Sequence, residues 1–324
     1  MRQTILITGG AGFIGSHMVD RLIDRGDIVV VVDNLNRFYS PKQKRANIAH
    51  NLKGDTFYFH KADIRDRRRL QDIFSRYRFD CVVHLAAMAG VRPSIEKPLL
   101  YADVNVLGTL NILEQIRHYS VRQLVFASSS SVYGERSGPF RETDSTDEQI
   151  SPYGATKKAG ELLCRTYAHL YGIRTTILRL FTVFGPRNRP DMACFRFMDA
   201  LVKGRPIMRF GKGETGRDYT YIDDIVEGLM AAVKKSFDFE IINLGNSSPV
   251  TINTLIHTLE TVTRKQAKIN ALPQQPGDVN FTHADVSKAK RILGYSPKVR
   301  LHEGLKRFYS WYTNTHAERV SLLR

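Results

Sequence analysis

Two patterns of apolar residues alternate along the first half of the chain. Short runs at 4–8, 28–32, 56–60, 81–85, 123–127 and 175–180 read as strands. The run at 28–32, Ile-Val-Val-Val-Val, has no polar position, as expected of a strand buried on both faces. Between the strands the period changes. Ile14, Met18 and Leu22 stand four apart, and 67–77, 99–118 and 153–171 carry the same helical spacing. Strands alternating with helices predict an α/β fold built on a Rossmann-type, doubly wound parallel sheet covered on both sides.

Beyond about residue 180 the pattern loosens, and Gly and Pro become denser at 185–186, 211–216 and 274–277. One strand-like run, 240–244, is expected to rejoin the main sheet. The predicted organisation is a nucleotide-binding domain over 1–180, a smaller α/β substrate-binding domain mainly over 181–312, and a tail over 313–324. No repeat or low-complexity tract appears.

Composition narrows the function classes. No stretch reaches the ~18 uninterrupted apolar residues of a membrane span. The first residues enter a strand at once, without a signal-like segment, so a cytoplasmic protein is expected. Cys81, Cys164 and Cys194 are scattered without CxxC spacing, which argues against a disulfide framework and against a metal site. The chain carries 48 Lys and Arg against 32 Asp and Glu, a net charge of +16. Acidic residues interrupt most of the basic runs, so solvated helix faces explain the excess better than a nucleic-acid surface.

The first strand runs into Gly9-Gly10-Ala11-Gly12-Phe13-Ile14-Gly15, which opens the first helix. Glycines in a strand–turn–helix context let the backbone turn tightly and bring a pyrophosphate to the helix N-terminus. Gly9, Gly12, Phe13, Ile14 and Gly15 are therefore expected at a dinucleotide. The second strand ends in Asp33-Asn34. A carboxylate there accepts the adenosine ribose hydroxyls and repels a 2′-phosphate, which favours NAD over NADP. Asp63 and Ile64 end the third strand, and the small Leu85-Ala86-Ala87 segment ends the fourth, both at cofactor-facing positions. Asn105 is expected to belong to the same site.

Ser151-Pro152-Tyr153-Gly154-Ala155-Thr156-Lys157 contains YxxxK, which places Tyr153 and Lys157 one helical turn apart on one face. An ammonium nearby would lower the phenol's pKa and fit Tyr153 for moving a hydroxyl proton. The strand at 123–127 ends in four serines, Ser128 to Ser131.

These residues resemble the extended short-chain dehydrogenases/reductases of the sugar-nucleotide epimerase/dehydratase family. The match spans nearly all of 4 to 312 and rests on TGGAGFIG, HLAA, VYG, YGATK, RDYTYIDD and QPGD. The resemblance implies that Ser129, four positions before the Tyr of VYG, is the third catalytic residue beside Tyr153 and Lys157. It also implies a homodimer paired through 99–118 and 153–171, and a UDP-sugar substrate. Relatives that dehydrate place Asp-Glu after the catalytic Thr, and those that decarboxylate UDP-glucuronate place a Glu there. Here Ser130 and Ser131 stand in those positions. A hydroxyl is a poor general base at neutral pH, which points to plain 4-epimerisation.

The segment 181–192, FTVFGPRNRPDM, is similar to that of UDP-glucuronate 4-epimerases. Thr182 and Arg189 could supply a hydroxyl and a planar fork to a C6 carboxylate. By the same resemblance Arg92 approaches the sugar, Arg217 the diphosphate and Asp278 the uridine ribose, while Phe195, with 193–194, lies along the uracil. The alternatives are a UDP-glucose or UDP-N-acetylhexosamine 4-epimerase, a UDP-glucuronate decarboxylase, and a non-catalytic NAD- or RNA-binding protein. The intact Ser129, Tyr153 and Lys157 set weighs against the last.

Overall fold

The computed structural model describes residues 2–273 and 279–321, with 316–321 by backbone alone. The first half follows the alternation of the sequence. Its elements are β1 (Thr4–Thr8), α1 (Phe13–Asp24), β2 (Ile28–Asp33), α2 (Pro41–Ile48), β3 (Phe57–Lys61), α3 (Arg67–Arg76) and β4 (Cys81–His84). Then come α4 (Val91–Glu96), α5 (Pro98–Ala102), α6 (Gly108–His118), β5 (Gln123–Ser129), α7 (Pro152–Tyr171) and β6 (Arg174–Leu180). The second half contributes β7 (Thr182–Phe184), α8 (Ala193–Val202), β8 (Ile207–Phe210), β9 (Gly216–Tyr221), α9 (Ile222–Lys234) and β10 (Phe239–Leu244). It closes with β11 (Pro249–Thr251), α10 (Ile252–Thr263), β12 (Ile269–Leu272), α11 (Ser287–Leu293) and α12 (Leu301–Ser321).

A seven-stranded sheet in the order β10-β6-β5-β4-β1-β2-β3 forms the centre. Every neighbouring pair in it is parallel. The order reverses between β1 and β4, and such a switch point opens a crevice at the carboxyl ends of the strands. β1 and β2 are almost wholly buried, and apolar side chains from both sheet faces feed two separate core clusters under the two helical layers. β10 pairs with β6 along its full length, Phe239 opposite Thr175 to Leu244 opposite Leu180, so a strand from the second half completes the sheet.

Two features go beyond the sequence expectation. The helix expected over 99–118 is interrupted by a π-helical turn at Asp103–Leu107. Asn105 lies in this turn, buried, and its side chain accepts from the Met88 N–H at 2.8 Å and donates to the Met88 carbonyl at 3.0 Å and to Thr156 Oγ1 at 3.0 Å. The extra residue of a π turn aims the amide at two neighbouring elements. The segment from 313, read in the sequence as a tail without an assigned conformation, continues α12 to Ser321. No Gly or Pro follows Gly304, so nothing in the sequence stops the helix.

The second half is tied to itself by Asp218 on β9, which is fully buried. Its carboxylate accepts from the backbone N–H groups of Asn246 (2.7 Å), Ser247 (2.9 Å) and Ala284 (3.0 Å). It thereby fixes the turn after β10 and the 281–284 segment against the strand that carries Arg217. Asp218→Ala strands three backbone donors, at about 1–3 kcal/mol for each buried unsatisfied group. The expected result is a loss of at least ~3 kcal/mol, read as a lower denaturation midpoint, with Asp218→Asn losing less.

Candidate active site

A cavity of about 410 Å³ opens at the carboxyl ends of the parallel strands. At one end lies the glycine loop. Gly9 adopts φ +74°, and a Cβ there would stand 2.8 Å from the Ala86 backbone nitrogen, so only glycine lets the β1 turn lie against the end of β4. Gly15 is equally constrained, because a Cβ would meet the Gly9 carbonyl oxygen at 2.2 Å. No side chain caps α1 at Gly12, and its first turn holds no acidic residue, so the positive end of the helix faces the cavity. The Asp33 carboxylate accepts from the Ala11 N–H (3.1 Å) and the Leu35 N–H (2.8 Å), which holds it at the cavity wall. Asn34 Nδ2 donates to Asp63 at 2.8 Å, joining the ends of β2 and β3. Phe13, Ile14, Asn34, Asp63, Ile64, Leu85, Ala86 and Ala87 all line the cavity. An uncapped helix terminus over a glycine turn, with an anchored carboxylate at the next strand end, fits a dinucleotide such as NAD.

Ser129, Tyr153, Lys157, Thr182, Arg189 and Arg217 line the same cavity. Ser151 caps α7 by accepting from the Gly154 N–H at 3.1 Å, and Pro152 occupies its first turn. Ser94 of α4 accepts from the Tyr153 N–H at 3.1 Å, so the tyrosine starts the helix in a fixed place. Ser129 accepts from the Ser131 N–H at 3.1 Å and donates to Ser131 Oγ at 3.2 Å. Burial pushes the Tyr153 phenol above its ordinary pKa, while the hydrogen bond of Ser129 and the guanidinium of Arg189 pull it back. The sequence assigned that pull to Lys157. The Lys157 ammonium instead stands 4.8 Å from the centre of the Phe126 ring, and burial lowers its pKa to about 8 against the opposing pull of Cys164 and Glu161.

Three expectations do not converge on the cavity. Arg92 lies over the Phe210 ring, 4.4 Å from its centroid, rather than on the cavity wall. Phe195 is buried in the core beside Phe308 and Tyr312, because α8 turns its apolar face inward. Asn105 reaches the site only through Met88 and Thr156. Asp278 falls outside the described residues.

Other site residues gave no local signal. Lys44 of α2 is buried, donates to the Asn36 carbonyl (3.0 Å) and Oδ1 (2.8 Å), and lines the cavity. In sequence it is one cation among Lys42, Arg45 and their neighbours. Ser128, which reads as a packing residue, donates to Glu161 Oε1 at 2.6 Å. Glu161 in turn receives Nε and Nη2 of Arg179 at 2.9 and 2.8 Å, with both side chains 2% exposed.

The loop between β7 and α8 carries Arg189 and is fastened to the first half. His17 of α1 contacts the Pro186 carbonyl at 3.0 Å, Arg187 pairs with Asp20 at 2.7 Å, and Gln43 of α2 donates to the Asn188 carbonyl at 3.2 Å. Burial and Arg187 together push the His17 pKa down to about 4, so the ring stays neutral at physiological pH.

A doubly wound parallel sheet, a glycine turn under an uncapped helix, and Ser129, Tyr153 and Lys157 in one cavity define an extended short-chain dehydrogenase/reductase. The family model described as GDP-mannose 4,6 dehydratase matches residues 6–308, and the chain belongs to this family. Among its relatives, a UDP-glucuronate 4-epimerase of Thermodesulfobacterium geofontis is 45% identical over 94% of this chain and 95% of that protein. The crystal structure of UDP-glucuronic acid 4-epimerase from Bacillus cereus, in complex with UDP-glucuronic acid and NAD, superimposes with a TM-score of 0.90. It is 38% identical and covers 96% of this chain and 99% of that one. A UDP-glucose 4-epimerase of Thermotoga maritima, solved with UDP-glucose, gives a TM-score of 0.89 at 36% identity over 97% and 99% of the two chains.

Two outcomes follow from the geometry. Tyr153→Phe should lose about 10²–10⁴-fold in turnover, the usual contribution of a positioned acid–base group, while keeping cofactor and substrate binding. Near-normal turnover would remove Tyr153 from the proton transfer. The Lys157 ammonium is present below its pKa of about 8 and lost above it. kcat/KM should therefore fall as pH rises through that value, because the cavity loses a cation that favours anionic ligands. A profile that stays flat well into the alkaline range would contradict this.

Proposed function

We propose that this protein is an NAD-dependent UDP-sugar 4-epimerase that interconverts UDP-glucuronate and UDP-galacturonate. The observation that carries the reaction type concerns carboxylates. Among the described residues that line the cavity, the only ones are Asp33 and Asp63, at the ends of β2 and β3. The residues after Ser129 are Ser130 and Ser131, both on the cavity wall. Dehydration and decarboxylation of a 4-keto sugar each need a further acid or base once the ketone has formed, and a hydroxyl serves poorly. Epimerisation needs only the group that moved the first proton.

Tyr153 takes the proton of the C4 hydroxyl, and Ser129 holds the same oxygen by a hydrogen bond. Gly9, Gly12, Gly15 and Asp33 would hold NAD, which would supply the hydride acceptor and donor. The 4-keto sugar turns over, and Tyr153 returns the proton to an oxygen whose carbon now shows its other face. The glucuronate reading rests on Thr182 and Arg189. Oxidation at C4 makes a β-keto acid, which loses CO₂ readily when the C5–C6 bond aligns with the carbonyl π system. A hydroxyl and a guanidinium that hold the carboxylate near the plane of the ketone oppose that alignment. Arg217, on β9, takes the diphosphate.

The protein acts as a homodimer. α5 and α7 expose apolar side chains on the outer surface: Leu99 is 84% exposed, Leu162 56% and Leu170 60%. Such a surface supports burial against a second copy. The three cysteines are free and buried, which agrees with a reducing compartment, and among the described residues no helix is long and apolar enough to cross a membrane.

Denaturing the purified protein should release NAD rather than NADP, and recovery of mainly NADP would contradict the role of Asp33. Arg189→Ala should lower kcat/KM for UDP-glucuronate by roughly one to two decades, the range for loss of a charge-assisted hydrogen bond. Its activity on UDP-glucose should fall less, because that sugar loses only the pull of Arg189 on the Tyr153 phenol. Equal losses on both sugars would assign Arg189 to the fold or the diphosphate. A wild type that converts UDP-glucose as well as UDP-glucuronate would remove the glucuronate assignment.

A further inference from the structure

Arg189 does not stand alone at the cavity wall. Its Nε donates to Asp191 Oδ1 at 3.0 Å and its Nη2 to Asp191 Oδ2 at 2.7 Å, a bidentate pair along one edge of the guanidinium. The pairing is built into a turn. The Met192 N–H donates to the Arg189 carbonyl at 3.2 Å, and Pro190 sits at the second position, which its ring pre-sets for a turn. Asn188 Oδ1 accepts from the Arg189 N–H at 2.8 Å and fixes the start. Arg189 lines the cavity and Asp191 does not. The carboxylate grips the arginine from behind.

A guanidinium has a second pair of parallel N–H bonds, at its Nη1/Nη2 end. Among the described residues Nη1 makes no hydrogen bond, and Nη2 has only a second, weak acceptor, Met192 Sδ at 3.5 Å. Resting on the epimerase reading given above, we propose that Asp191 is the positioning residue for acid-sugar specificity. It holds the Nε/Nη2 edge so that the Nη1/Nη2 end faces the C6 carboxylate of the substrate.

Two physical arguments carry this. A cavity that takes a dinucleotide and a nucleoside diphosphate sugar holds two pyrophosphates. A free arginine on a flexible stem would be drawn to them, and Asp191 tethers it away. The Arg189–Asp191 pair is also close to neutral, so it recognises a carboxylate by the geometry of two parallel bonds more than by net charge. The pair gives a neutral hexose neither attraction nor repulsion, whereas an acid sugar gains a second bidentate contact.

The test compares wild type with Asp191→Ala, Asp191→Asn and Asp191→Glu as NAD-loaded enzymes. Steady-state kinetics and calorimetric Kd values are measured for UDP-glucuronate and UDP-glucose. Asp191 is exposed in a turn, and thermal unfolding checks that each variant folds. Asp191→Ala should raise both KM and Kd for UDP-glucuronate roughly tenfold, the low end of what one charge-assisted hydrogen bond is worth. kcat should change less than KM, and UDP-glucose should be little affected. Asp191→Glu, which keeps a carboxylate, should recover part of the loss, and Asp191→Asn less. A loosened carboxylate should also leak. At the 4-keto stage of the proposed reaction, the C5–C6 bond breaks, CO₂ leaves, and the electron pair enters the enolate, which solvent protonates to a 4-ketopentose. That product should rise in Asp191→Ala.

Tighter binding of UDP-glucuronate by Asp191→Ala would make Asp191 a competitor for the arginine and overturn the proposal. Equal losses on the two sugars, or no change on either, would overturn it as well. Those results leave the epimerase reading standing. That reading fails on a separate result, a wild type that does not convert UDP-glucuronate, and the role of Asp191 falls with it.

Discussion

Both oxygens of Glu161 are spent inside the protein, one on Ser128 and Arg179 together and the other on Arg179 alone. This carboxylate joins three elements at the point where their chemistry begins. Ser128 precedes Ser129 at the end of β5, Arg179 stands three residues before Thr182, and Glu161 lies one turn beyond Lys157 on α7. The Arg179 guanidinium also lies 4.7 Å from the Tyr133 ring centroid, which draws in the turn after β5. A buried pair of this kind contributes little net stability over an apolar substitute, but removing one partner strands the other and costs about 3–5 kcal/mol. Its role is therefore better explained by position than by stability. It sets the relative placement of the serine, the tyrosine and the strand that carries Thr182.

The sheet was legible because burial on two faces leaves an unmistakable trace. A run such as Ile-Val-Val-Val-Val has few other uses, and glycines at a strand end allow few conformations. YxxxK was legible because both residues lie on one helix. What escaped was long-range. Ser128 and Glu161 are 33 positions apart, and nothing near either predicts the other. Lys44 reads as one more surface cation until α2 folds over the Asp33 loop. The π turn at Asn105 depends on Met88 and Thr156, which come from two other elements. Phe195 follows the opposite logic. An aromatic near a motif invites a ligand-facing role, but α8 has to bury one face, and Phe195 is on it.

The charge excess also looks different in the fold. Arginines that seem surplus in the sequence are fastened one by one: Arg65 to Asp63 and Asp103, Arg187 to Asp20, Arg189 to Asp191. The family name refers to a dehydration, while the cavity wall beside Tyr153 carries hydroxyls where that chemistry needs carboxyl groups. On the reading proposed above, reaction type turns on two residues after β5 and sugar preference on a loop after β7. The two can vary independently because they lie on different strands of the same crevice.

The fastening of the Arg189 loop to His17, Asp20 and Gln43 has a consequence for how such proteins diversify. The segment that carries Arg189 belongs by sequence to the second half, but its footing lies on α1 and α2 of the first. A recombinant that inherited its C-terminal half from a relative with a different footing would receive the arginine without the platform that aims it. The aim of Arg189 is a property of matched halves, so an exchange of domains should need compensating changes on the surface of α1, far along the chain from the arginine itself.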